Sequence, residues 1–111
     1  MLTPIYLESP YAGDIERNVK YTKLRMMDSI RRGEAPFVSH LLYTQVLDDT
    51  VPAERTTGID CGNAWREGAH LTVVYMDYGV SEGMQIGIDD AIKKGCSVDR
   101  RRIGQNPYEG I

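Results

Sequence analysis

Cysteine is scarce in this chain: Cys61 and Cys96 are the only two, and each stands alone. With no Cys-x-x-Cys unit, neither a zinc motif nor a redox pair can be built from them. Reduced thiols are expected. A basic excess is also missing, because 13 Lys and Arg face 16 Asp and Glu for a net charge of −3. Proteins of duplex nucleic acid draw most of their affinity from phosphate neutralisation, so a duplex partner is not expected. No apolar run approaches the ~20 residues of a membrane span. Met1-Leu2-Thr3-Pro4 has neither the basic start nor the apolar stretch of a signal peptide. The expectation is a cytoplasmic protein without membrane contact. No Gly-x-Gly-x-x-Gly follows the first apolar run, and there is no P-loop. Dinucleotide redox chemistry and NTP hydrolysis therefore lack support, and no cofactor or metal is expected. Phe and Trp occur once each, against seven Tyr. Rings with hydroxyls suit a pocket or a wet interface as well as a core.

What is present is ordinary for a folded domain. The 111 residues, 41% apolar and 26% charged, suffice for one domain with its own core and argue against disorder or coiled coil. Ile5-Tyr6-Leu7 reads as a buried strand closed by Ser9-Pro10. Ala12-Gly13-Asp14 offers a turn and an N-cap. Ile15, Val19, Thr22, Met26 and Ile30 then recur at helical spacing, and Gly33 stops the helix. Residues 35–40, ending at His40, read as a second strand, with Pro36 at its start or on an edge. Residues 41–51 show no period and read as a loop. Pro52 suits a first helical turn, and residues 53–65 form a weaker helix with Thr57, Cys61, Ala64 and Trp65 on one side. Gly58 and Gly62 lower its propensity by about 1 kcal/mol each but permit close packing against a neighbour. Residues 70–76 are the strongest strand, apolar on both faces as in a central parallel strand. Ser81 caps a third helix with Met84, Ile88, Ala91 and Ile92 on one face, ended by Gly95. Cys96-Ser97-Val98 opens a fourth strand, Arg100-Arg101-Arg102 is a solvated strand end, and residues 104–111 are an irregular tail.

The alternation implies an α/β three-layer sandwich, flavodoxin- or Rossmann-like, with a central mostly parallel sheet of 4–5 strands. In such sheets ligands sit beyond the carboxyl ends of the strands, at the topological switch point. Residues 8–14, 40–45 and 77–85 should meet there. Gly79-Val80-Ser81-Glu82-Gly83 matches the Gly-x-Ser-x-Gly nucleophile elbow. That assignment fails, because the order Ser…His is required and both His40 and His70 precede Ser81. Cap and turn chemistry explains the segment. Backbone N–H groups at that helix start also make an anion site for a phosphate or a ribose hydroxyl. Asp77, at a strand end, is either a turn cap or an acceptor for sugar hydroxyls. Glu8, Asp77 and Glu82 are conceivable acid/base carboxylates. His40 is either structural or a donor to ligand. Tyr6, Tyr11, Tyr43 and Tyr78 flank the same strand ends and suit stacking on an aromatic base.

Two stretches carry a family resemblance. Ile5-Tyr6-Leu7-Glu8-Ser9-Pro10-Tyr11-Ala12-Gly13 resembles the opening of nucleoside 2-deoxyribosyltransferase-like proteins, and Asp77-Tyr78-Gly79-Val80-Ser81-Glu82-Gly83-Met84-Gln85-Ile86-Gly87 resembles their Gly-Met-Glu-x-Gly helix start. The chain is most similar to a small branch frequent in bacteriophages and prophages, over nearly its whole length. The resemblance implies oligomers and N-glycosidic chemistry on nucleosides or nucleotides, by a glutamate that attacks the anomeric carbon. Gln85 stands where that glutamate is expected, and a neutral amide is a poor nucleophile. The resemblance further implies Tyr6 near the ribose, Asp77 near base or sugar, and Ser81 with Gly83 near a phosphate. The expected ligand contacts are Tyr6, Ser9, Tyr11, Gly13, His40, Tyr43, Asp77, Gly79, Ser81, Gly83 and Gln85, with Glu82 and Asp77 as candidate catalytic carboxylates. The leading expectation is a homo-oligomeric binder of a nucleoside, nucleotide or ADP-ribose-like molecule, which in a phage would sequester a nucleotide-derived signal. The alternatives are an N-glycosidase or deoxyribosyltransferase using Glu82, Glu8 or Asp77, and an interaction module with a vestigial pocket.

Overall fold

The computed structural model describes residues 1–68 and 71–104. His70 and the tail from 105 lie outside the described residues. Four strands, β1 (Thr3–Glu8), β2 (Glu34–Phe37), β3 (Leu71–Tyr75) and β4 (Ser97–Arg101), form one sheet in the order β2-β1-β3-β4. Every neighbouring pair is parallel, with Tyr6 opposite Phe37 on one side and Thr72 on the other. The helices are α1 (Ile15–Arg31), the single turn α2 (Ser39–Leu42), α3 (Pro52–Trp65) and α4 (Glu82–Lys93). This is the expected α/β sandwich around a parallel sheet. The chain reverses direction across the sheet between β1 and β3, so the switch point lies at Glu8 and Tyr75.

The inner strands behave as their composition dictates. Ile5, Leu7, Val73 and Tyr75 pack on one face with Tyr21 and Val38, and Val74 packs with Met84 and Ile88 of α4 on the other. Pro36 sits on the edge strand β2, where no ladder donor is lost. Ser81 caps α4 by accepting from the Met84 N–H, and Gly95 follows its end with φ +74°.

Four local expectations are corrected. Of the expected face of α1, Thr22 is buried and Met26 packs partly buried against the core, but Ile15 and Ile30 are exposed, and the buried residues are Asn18, Tyr21, Thr22, Arg25 and Ser29. These buried polar side chains are hydrogen-bonded, which offsets the usual penalty of burying them, although Arg25 Nη1 has no partner. Asn18 donates to the carbonyls of Tyr11 and Ala12, Thr22 meets Ser9, and Ser29 donates to Glu34. In α3, Gly62 is buried, while Thr57, Ala64 and Trp65 face solvent. Residues 39–45 are not strand end and loop but α2 followed by a 3-10 turn. The basic strand end is only partly solvated: Arg101 is buried between Glu34 and the Tyr75 hydroxyl.

Candidate functional site

At the switch point β1 delivers Glu8 with its side chain pointed below α4. The carboxylate is buried, and Oε1 accepts from Arg66 Nη2 at 2.6 Å. Arg66 follows α3 directly and has no exposed surface. Its guanidinium also donates to Asp90 Oδ2 at 3.0 Å and Thr72 Oγ1 at 2.7 Å, and lies 3.8 Å from the centre of the Tyr6 ring. Burial is the largest influence on Glu8 and pushes its carboxyl up to about 7, although the charge and hydrogen bond of Arg66 pull it down. The Tyr6 hydroxyl donates to Ser39 Oγ at 2.7 Å. Burial, reinforced by the charge of Glu8, pushes that hydroxyl up to about 12.

Two glycines make this arrangement possible. A Cβ at Gly87 of α4 would overlap the Glu8 carboxylate. A Cβ at Gly62 of α3 would come within 2.6 Å of the Tyr6 hydroxyl and 2.7 Å of Ser39 Oγ. Neither glycine has positive φ. Both are explained by the space that a polar side chain of β1 occupies.

Above Glu8 opens a cavity of about 300 Å3. β1 and the following turn contribute Tyr6, Glu8, Ser9, Tyr11 and Ala12, and α2 contributes Ser39 and His40. One wall is Asp49 with Arg55, Ile59 and Asn63 of α3, and the rim is the start of α4, from Ser81 to Met84 and on to Gly87. Ser9 Oγ lies 3.0 Å from His40 Nε2 and 2.6 Å from Thr22 Oγ1. Burial lowers His40 to about 4, so the imidazole is neutral at pH 7. Arg55 makes long ion pairs to Asp49 at 3.9 Å and to Glu82 at 3.7 Å.

The structure brings Tyr6, Ser9, Tyr11, His40, Ser81, Glu82 and Gly83 together around this cavity. Other expected contacts are elsewhere. Asp77 is not among the lining residues. It accepts from Tyr21, Arg25 and the N–H groups of Ile103 and Gly104. Burial pushes its carboxyl up, but the hydrogen bonds from Tyr21 and the Gly104 N–H, with the charge of Arg25, outweigh it and hold Asp77 below its ordinary value. That saturated carboxylate ties α1 and the end of β4 to β3. Gln85 donates to Asp89 one turn along the exposed face of α4 and does not line the cavity. Gly13 and Gly79 serve turns, with φ of +97° and +84°. Tyr78 stacks on Tyr21, with Arg17 over its outer face. Tyr43 lines a narrower branch of the cavity between α2 and α3. Glu82 reaches the rim, but its side chain is 83% exposed.

Residue-level reading of the sequence missed Arg66, Arg55, Ile59 and Gly87. Gly62 and Gly87 at helix-interior positions are the available signal, since each marks a close approach. A single arginine after Trp65 gives no signal of burial. Among the described residues, no group of three or more His, Cys, Asp or Glu is placed to hold a metal ion. Nor is any helix there long and apolar enough to cross a membrane.

A family model described as a domain of unknown function (DUF7768) matches residues 3–101. The match runs from β1 through β4 and includes every residue that lines the cavity. A search of curated proteins gives no match.

Proposed function

We propose that the chain, which belongs to the DUF7768 family, binds a nucleoside or a nucleoside monophosphate in the cavity at the β1/β3 switch point. The observation that carries this reading is the buried Glu8 carboxylate at the floor of a 300 Å3 cavity, held by Arg66 and faced by the start of α4. A carboxylate, a serine pair and a neutral histidine converging on one space suit the hydroxyl groups of a ribose. Tyr11 offers an aromatic face at the entrance. The charge balance narrows the ligand further. Glu8, Asp49 and Glu82 line the cavity against one arginine, Arg55, which both of the outer carboxylates already approach. Arg66 is committed to Glu8 and Asp90. That balance disfavours an ADP-ribose-like ligand with two phosphates, since polyphosphate needs several uncommitted cations.

Isothermal titration against a panel of nucleosides, nucleoside monophosphates and ADP-ribose tests the reading. Binding is expected for nucleosides and is expected to weaken in Glu8→Gln. Absence of heat across the panel would overturn it.

A second reading has support from the same carboxylate. An N-glycosidase needs a carboxylate that can hold a proton near neutrality or stabilise an oxocarbenium-like centre. Of Glu8, Asp77 and Glu82, only Glu8 is both buried and open to the cavity. Incubation with deoxynucleosides and chromatography for free base separates the two readings. Base released by the wild type and not by Glu8→Gln assigns turnover, and intact nucleoside in both assigns binding alone.

A further inference from the structure

The cavity has a branch that the sugar-side chemistry does not use. Between α2 and α3 a slot of about 70 Å3 opens from the same space, sharing Ser39, His40, Arg55 and Ile59 with the main cavity. Its inner wall is Tyr43, Leu47 and Gly58. Tyr43 is fixed there because its hydroxyl accepts from the Trp65 indole N–H at 2.7 Å. Gly58 is the informative residue. It lies inside α3, where glycine is a poorer choice than alanine, and its φ is not in the left-handed region. A Cβ there would meet Leu47 Cδ1 at 3.6 Å and Tyr43 Cβ at 3.9 Å, which is ordinary contact. Neither backbone conformation nor a clash demands glycine at 58. What a larger side chain would remove is the slot itself.

The two parts of the cavity differ in chemistry. The main space presents Glu8, Ser9 and Ser39, which match hydroxyl groups. The slot combines the apolar sides of Leu47, Ile59 and Tyr43 with polar groups on Thr44, Asp49, Glu54 and Arg55, which match the flat face and the hydrogen-bonding edge of a heteroaromatic ring. An isolated ring needs a cavity of roughly 150 Å3. A slot of 70 Å3 open on one side therefore receives the edge of a ring whose remainder lies in the main cavity. We infer that the α2–α3 slot is the nucleobase subsite, that the lack of a side chain at Gly58 keeps it open, and that its small volume favours single-ring bases. This inference rests on the nucleoside reading of the main cavity.

The test compares uridine and cytidine with adenosine and guanosine by titration calorimetry on the wild type, Gly58→Ala and Gly58→Leu. The wild type is expected to bind the single-ring nucleosides more tightly. Gly58→Leu, with the slot filled, is expected to lose affinity by about tenfold or more, in keeping with the penalty for a misfit methylene or larger group. Gly58→Ala is expected to bind nearly as well as the wild type. Wild-type binding that Gly58→Leu leaves unchanged would overturn the subsite and spare the main-cavity reading. Equal or tighter binding of the purine nucleosides would overturn the size preference. No wild-type binding of any nucleoside would overturn both. Amide chemical-shift changes on uridine addition to the wild type give a readout that needs no variant. Shifts at Leu47, Gly58 and Ile59 support the slot, and shifts confined to residues 8–12 and 81–87 contradict it.

Discussion

Glu8 sits in a space cut to its shape. Arg66 holds one oxygen at 2.6 Å, and Gly87 stands where any larger residue would strike the carboxylate. Two opposed effects act on Gly87→Ala. Alanine raises helix propensity by about 1 kcal/mol, whereas forcing Cβ into a packed carboxylate costs about 1–3 kcal/mol. The clash is expected to win, so urea denaturation should show net destabilisation of up to about 2 kcal/mol. Gly58→Ala meets only ordinary contacts, so the same measurement should show stabilisation of up to about 1 kcal/mol. The opposite signs of two identical substitutions check the local geometry. Arg66→Met is a harsher change. It leaves the buried Glu8 without the cation it pairs with and Asp90 with Lys94 alone, and breaking a buried pair from one side costs about 3–5 kcal/mol.

At the scale of elements, α1 teaches why a correct helix can carry a wrong face. Its apolar residues recur at helical spacing, yet Ile15 and Ile30 are exposed and Arg25 has almost no exposed surface. Period alone assumes that the buried face is apolar. Here Asn18, Thr22, Arg25 and Ser29 at spacings of four, three and four form a polar stripe whose partners are set by the fold, most distantly Asp77 and Gly104 to Arg25. Those partners are invisible to a local reading. The ends of helices were legible, because a cap is a local matter: Ser81 and Gly95 both act where their chemistry predicts. Ser81→Ala is expected to cost about 1 kcal/mol through the lost cap. Asp77 belongs to this scale too. Its four hydrogen bonds join α1, β3 and the end of β4. Asp77→Asn is expected to lower stability by about 1–3 kcal/mol while leaving nucleoside affinity within about twofold. A large loss of affinity in a folded Asp77→Asn protein would return that residue to the site.

Over the whole molecule, the alternation of strands and helices foretold a parallel sheet, and the switch-point rule directed attention to the ends of β1 and β3. Sheet order was not legible, since no local signal states which strands become neighbours. Of the three segments expected to converge, residues 8–12, 39–40 and 81–84 do line one cavity. The wall from α3 is not legible, because Arg55 reads as a solvated charge yet lines the cavity half-buried, and Arg66 reads the same way until the fold buries it beneath Glu8. Burying both Glu8 and His40 also shapes the response of stability to pH. Glu8 rises from 4.5 to about 7 on folding, so the native state holds the extra proton and stability falls as pH rises through that window. His40 drops from 6.5 to about 4, so stability falls as pH drops through its window. Each effect is on the order of 2–3 kcal/mol, and between pH 4.5 and 6.5 they oppose one another. The wild type should show a nearly flat profile there by thermal denaturation. Glu8→Gln should lose stability on acidification across that range, and His40→Asn should lose it on going from pH 4.5 to 7. Parallel profiles for all three proteins would contradict the burial of these groups.

A crystal structure of the protein grown with uridine tests the central claim most directly. Density for the sugar is expected between Glu8 and the start of α4, with the Glu8 carboxylate within hydrogen-bonding distance of a ribose hydroxyl. Uridine bound on another face, or an empty cavity at saturating nucleoside, would contradict it.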